Sequence, residues 1–87
     1  MSKLHVLKSY PSFFNAVLDG RKTFEVRKND RDYHVNDTLL LKEYNPIYDI
    51  YTGRAIKCKV TYILFGPSFG VKKDYVAMAI KVQKELP

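Results

Sequence analysis

From Ile56 to Leu64 the chain alternates, with Ile56, Cys58, Val60, Tyr62 and Leu64 on one phase and Lys57, Lys59 and Thr61 on the other. Successive side chains of a strand point to opposite faces, so this run specifies one long strand with an apolar face toward a core and a lysine-rich face toward water. Ile63 and Phe65 interrupt the alternation near its end and predict burial on both sides there. Little else can share so small a molecule. At 87 residues, folding buries about 60 to 70% of the extended surface, enough for a single core. We therefore expect one domain over residues 1–87, with its core at residues 5–82.

The other elements follow from punctuation. His5 to Lys8 reads as a short strand beside Leu4, Val6 and Leu7, and Ser9-Tyr-Pro11 opens a helix, with proline in the first turn. Phe13, Phe14, Val17 and Leu18 recur at helical spacing, and Gly20 supplies a left-handed stop after about two and a half turns. Thr23 to Lys28 alternates again, with Phe24 and Val26 expected in the core and Thr23, Glu25 and Arg27 presented together on the opposite face. A loop runs to Asp37. Thr38 to Tyr44 is a strand ended by Asn45-Pro46, and Ile47 to Gly53 reads as a hairpin tip with aromatic surface at Tyr48 and Tyr51. Tyr75 to Val82 is the last strand. Val76, Met78, Ile80 and Val82 face one way and Ala77 and Ala79 the other, and Gln83 to Pro87 are expected to fray. The fold class is α+β, mainly β, with about five strands and one short N-terminal helix. A small barrel would best remove exposed strand edges. The alternative is an open α+β sheet.

Charge narrows the partner. Fifteen Lys and Arg against nine Asp and Glu leave +6, which favours a polyanionic partner such as nucleic acid, the plainer alternative being a solvated basic surface. Lys57, Lys59, Lys72, Lys73, Lys81 and Lys84 are candidates for a surface that follows phosphates, with Tyr48 or Tyr51 as a stacking platform. One cysteine, Cys58, forms no internal disulfide, and with two histidines it makes no ordinary zinc site. No metal or other cofactor is expected. Without a long apolar run the chain reads as cytoplasmic, off the membrane, and monomeric by default.

Charged residues concentrate in 20–37, where five bases meet four acids. Lys22 and Arg27 suit phosphate, Arg through its planar fork, while Glu25 can accept from base amino groups or hold Arg27 in place. The plainer reading is a Glu25–Arg27 ion pair between same-face neighbours. Asp30-Arg31-Asp32 reads as a turn stapled by its own side chains, with Arg31 as its one ligand candidate. His5 and His34 read as hydrogen-bonded structural or surface histidines.

The run Gly20-Arg-Lys22-Thr-Phe-Glu25-Val-Arg27 resembles the G-x-K-x-x-E-x-R signature of ASCH domains, small β-barrels of the PUA-like superfamily. His5, Lys8, Pro11, Asp30-Arg31 and Asn36-Asp37-Thr38-Leu39 extend the resemblance toward a phage and bacterial subfamily, over residues 5–81. Asn36 stands where that subfamily usually has glycine, a change that a left-handed turn tolerates. The resemblance implies a cleft between helix and barrel, lined by Lys22, Glu25 and Arg27, that receives RNA or a nucleotide; Thr23 and Arg31 complete the candidate set. It also implies an alternative, because some relatives hydrolyse acetylated cytidine and others have been proposed to cut RNA. The amidohydrolases place a threonine nucleophile where this chain has Glu25, and Thr23 cannot inherit that role from a different height on the strand. A hydrolase would need Lys22 and Glu25 as an acid and base pair, or His34 as base. A third reading, from another class, is a phage or mobile-element protein that binds a host protein.

Overall fold

A computed structural model describes residues 2–83. Five strands, β1 (Leu4–Ser9), β2 (Phe24–Lys28), β3 (Thr38–Asn45), β4 (Ile50–Phe65) and β5 (Tyr75–Val82), and one helix, α1 (Pro11–Leu18), make up the fold. The strands lie in the order β1-β3-β4-β5-β2, with β1 parallel to β3 and every other pair antiparallel. The sheet curls into a half-barrel, the mostly-β architecture with a single short helix that the strand pattern predicts. Gly20 ends the helix region at φ 84° and Asn36 adopts φ 78° before β3, both left-handed as expected.

Curling puts the first and last strands in the order near each other, with side chains spanning the gap. Arg27 at the end of β2 donates Nη2 to the Lys8 carbonyl at 2.8 Å, and Arg31 donates Nη1 to the Val6 carbonyl at 2.7 Å. Both carbonyls belong to β1, so two guanidinium groups occupy acceptors that an edge strand otherwise offers to another chain.

β4 begins at Ile50, so the hairpin turn shrinks to residues 46–49 and Tyr51 lies on a strand instead of a tip. A bulge between Val60 and Tyr62 then changes the phase of β4. One extra residue turns every later side chain over. Tyr62, expected inward, is 64% exposed, and Ile63 takes the buried place. Phe65 is exposed also, so burial on both sides does not occur at this end. Val76, Met78 and Ile80 fill the core as their period requires. Gln83 donates its amide to the Lys57 carbonyl, while Lys84 and the rest of the expected frayed tail lie outside the described residues.

Two buried carboxylates organise the rest of the interior. Asp37, fully buried, accepts from the Lys3 amide at 2.9 Å, the His34 amide at 2.9 Å and His5 Nε2 at 2.8 Å. Burial alone would raise its pKa, but the Lys3 amide, the His5 ring and the His34 amide outweigh that and hold it below the ordinary carboxylate value. His5 is thereby a structural histidine. Glu43 points inward from β3 and accepts Arg54 through both oxygens, Nε and Nη2 each at 2.9 Å, with Thr52 Oγ1 at 2.6 Å. Arg54 also reaches Asn15 of α1 and lies over the Phe14 ring, tying the helix to β3 and β4.

Arg54 and then Thr52 hold the Glu43 pKa at about 2, against 4.5 for a free glutamate. A carboxylate whose pKa is depressed by folding contributes stability above its unfolded pKa, and that contribution disappears as pH falls through the folded one. Urea midpoints should therefore drop between about pH 4.5 and about pH 2. In Glu43→Gln the same acid limb should be shallower. Parallel acid limbs in parent and variant would remove Glu43 as a source of the pH dependence.

Candidate functional site

The residues from Gly20 to Arg27 lead from the helix end onto the free edge of the half-barrel. The Lys22 amide bonds to the Ala16 carbonyl, which fixes its side chain beside α1 before β2 begins. In the β2–β5 register Glu25 lies opposite Met78 and Arg27 opposite Val76, both of them core residues. Glu25 and Arg27 therefore point into the half-barrel. This reverses the expected faces: Phe24 and Val26 are 50% and 54% exposed, and Glu25 is 4% exposed. Alternation identified the two faces of β2 but not which one was inside. The charged face can go inward because its charges satisfy one another.

Glu25 is the hub. Its Oε1 accepts Lys22 Nζ at 2.7 Å and its Oε2 accepts Arg27 Nε at 3.0 Å. Lys22 Nζ also donates to the Phe24 carbonyl at 2.8 Å and lies 5.1 Å from the centroid of the Phe24 ring and 5.9 Å from that of Phe13. Both oxygens of the carboxylate are thus committed to cations. Two long, flexible side chains are held at fixed points by an acid they almost completely cover.

Above this trio opens a cleft of about 410 Å³. Lys22, Glu25 and Arg27 form one wall, with Phe24 and Val26 beside them, and Tyr10 and Phe13 from the helix entry form the other. Lys8 and Ser9, from the end of β1, complete the lining. Ser9 is 3% exposed, and its Oγ is the one buried side-chain oxygen or nitrogen among the described residues that has no hydrogen-bond partner. A buried hydroxyl left unpaired costs about 1–3 kcal/mol.

The structure brings together Lys22, Glu25 and Arg27, as the motif implies, and leaves out the other two candidates. Thr23 is exposed and does not line the cleft; its carbonyl accepts the Ile80 amide. Arg31 serves the β1 edge and lies outside the lining. Asp32 stands at φ 51° and its backbone carbonyl meets His34 Nδ1 at 2.9 Å, so the turn is held by the His34 ring, and among the described residues no hydrogen bond from the Asp30 or Asp32 carboxylate staples it. Sequence reasoning missed Ser9, although a signal was present. His5, Leu7 and Ser9 share the inward phase of β1, and a serine on that phase is a polar group aimed at a core.

Cys58, buried in the core, has its thiol pKa pushed up to about 11, first by burial and then by the Glu25 charge. It is no nucleophile at neutral pH. Among the described residues no three His, Cys, Asp or Glu side chains converge as a metal ion requires. Among the described residues no helix is long and apolar enough to cross a membrane.

Comparison with known proteins gives a family and a relative. The family described as "Domain of unknown function (DUF3850)" matches residues 4–80. The chain is similar to the "Uncharacterized 12.9 kDa protein in GpA 3'region" of Escherichia phage P2, at 39% identity over 61 residues, which cover 70% of this chain and 54% of the phage protein. The chain thus spans about half the length of that relative.

Proposed function

The chain belongs to the DUF3850 family, and from that premise we propose that it is an ASCH-like module of the PUA-like superfamily that binds RNA or a nucleotide in the cleft between α1 and β2. The observation that carries this reading is a cavity lined by three cations, Lys8, Lys22 and Arg27, two of them held in place by Glu25, beside a buried Ser9 hydroxyl that has no partner among the described residues. A phosphate or a base edge supplies what each of them lacks. Arg27 spends Nε on Glu25 and Nη2 on the Lys8 carbonyl, and among the described residues Nη1 has no partner. Lys22 stands between two aromatic rings, a setting in which a nucleobase can stack while its phosphate meets the ammonium.

Glu25 supports binding over hydrolysis. A general base must reach a proton on substrate or water, and the Glu25 carboxylate is buried beneath the two cations from which it accepts. Its part in this reading is to position Lys22 and Arg27.

Fluorescence anisotropy with a labelled single-stranded RNA, and competition by uridine 5'-monophosphate, test the proposal. Affinity should fall as salt rises from about 50 to 200 mM, because counterions released from the phosphates contribute to binding. Arg27→Ala should weaken RNA and nucleotide about 10- to 100-fold, the range for a hydrogen bond to a charged group. Ser9→Ala should weaken binding several-fold while leaving the urea midpoint equal or higher, since it deletes an unpaired hydroxyl. RNA binding unchanged in both variants would sink the assignment of the cleft. Capture of a protein that survives nuclease treatment, with no RNA bound, would turn the reading toward a host-protein partner.

A further inference from the structure

A row of aromatic rings leaves the cleft along the outside of the molecule. Phe13 and Tyr10, both lining the cleft, stack with centroids 6.4 Å apart and planes 15° from parallel. Tyr10 stacks in turn on Tyr44 at 6.5 Å and 30°, and Tyr44 meets Tyr51 edge-on at 5.2 Å. Tyr44 is buried and its hydroxyl donates to Asp49, so it acts as the fixed support on which its two neighbours lean. Phe13, Tyr10 and Tyr51 are each about half exposed.

Lysines accompany the row. Lys8 Nζ lies 4.3 Å from the centroid of the Tyr44 ring, and Lys42 Nζ lies 4.5 Å from that of Tyr51. Lys8 and Lys42 occupy directly opposed positions in the β1–β3 register. Like charges facing each other across two strands oppose folding, and each ammonium is drawn instead over a different ring of the row. The three half-exposed rings around buried Tyr44 are not needed by the core, which Phe14 and Val17 already complete on the helix side.

Half-exposed rings with ammonium groups held over the row match the two halves of a nucleotide chain. Bases stack on the rings whatever their identity, while phosphates follow the lysines. A duplex keeps its base faces occupied by one another and can use only the lysines. We infer that the row from Phe13 through Tyr10 and Tyr44 to Tyr51 is a track for single-stranded nucleic acid, which carries a strand away from the cleft toward the β3–β4 hairpin. The inference rests on the nucleotide reading of the cleft for where the strand begins, and on the row itself for where it goes.

The test uses labelled single strands of RNA and DNA of one mixed sequence, a blunt RNA duplex of the same length, and uridine 5'-monophosphate. Either strand should bind at least about tenfold more tightly than the duplex, and the RNA and DNA arms assign the source of the strand. Tyr10→Ala and Tyr51→Ala should each weaken the strand about tenfold, as loss of a stacking ring does. Tyr51→Phe, which keeps the ring, should bind like the parent. Tyr51→Ala should leave the mononucleotide unaffected, because Tyr51 lies outside the cleft. A duplex bound as tightly as the strand overturns the track, and so does parental strand affinity in Tyr51→Ala. If Arg27→Ala loses the mononucleotide while Tyr51→Ala keeps the strand, the track falls and the cleft stands. If the strand depends on Tyr51 and is indifferent to Arg27, the track stands and the cleft reading falls. Absence of binding to every probe at low salt overturns both.

Discussion

Replacing Asp37 with alanine is expected to destabilise the protein by about 3–5 kcal/mol, because three donors lose one acceptor and each polar group left buried and unpaired costs about 1–3 kcal/mol. The carboxylate is fully buried and three donors converge on it, the amides of Lys3 and His34 and the ring of His5. Alanine leaves all three without an acceptor and opens a void beside the His5 ring, which packs 4.7 Å from that of Tyr33. Those donors come from the start of β1 and from the loop before β3, so the same deletion loosens the pairing of the two strands at their first residues. A domain of this length has about 4–13 kcal/mol of stability, at 0.05–0.15 per residue. The variant should therefore unfold at a far lower urea concentration or fail to fold at 37 °C. Asp37→Asn keeps one acceptor oxygen and should lose clearly less. A loss under about 1 kcal/mol in the alanine variant would mean that water or neighbouring groups replace the carboxylate.

Phe14→Ala should have the second large effect, about 3–5 kcal/mol, as expected for deleting a phenyl ring from a packed interior. α1 has only eight residues and no side-chain cap at its start, and it contributes two buried side chains, Phe14 and Val17. A helix that short has little stability of its own and persists through packing. The Phe14 ring also carries the Arg54 guanidinium that grips Glu43, so its loss reaches β3 and β4. A functional consequence follows, because Tyr10 and Phe13 flank the buried ring and form a wall of the cleft. Nucleotide affinity should fall together with the urea midpoint. Phe14→Leu, which refills most of the space, should restore both. If affinity fell in Phe14→Ala and stayed low in a Phe14→Leu variant of parental stability, the helix would be acting on the ligand by some route other than packing.

The sequence made the elements legible wherever period and punctuation agreed. Pro11 and Gly20 bracket the helix, and Val76, Met78 and Ile80 mark the inner face of β5. The motif residues Lys22, Glu25 and Arg27 do meet at one cleft. Two kinds of information were out of reach. Alternation in β2 separates Phe24 and Val26 from Glu25 and Arg27 without saying which side is inside, and the customary assignment of apolar side chains to the core failed there. The interior accepted Glu25 because its two cations arrive from different places, Lys22 from the helix exit and Arg27 from farther along the strand. That convergence is a tertiary fact. The bulge after Val60 was equally hidden, since Thr61 carries no mark that distinguishes an extra residue from an ordinary one. Its effect was to turn out Tyr62, which the uninterrupted period would have buried.

The two arginines that span the gap between β2 and β1 give the molecule a seam unlike any other strand junction in it. Elsewhere neighbouring strands are joined by ladders whose bonds form and break in concert; here closure depends on side chains, which can let go one at a time. Arg27 is both a stitch in that seam and a wall of the cleft. Loss of its guanidinium in Arg27→Ala is therefore expected to remove a stitch from the junction as well as a charge from the cleft.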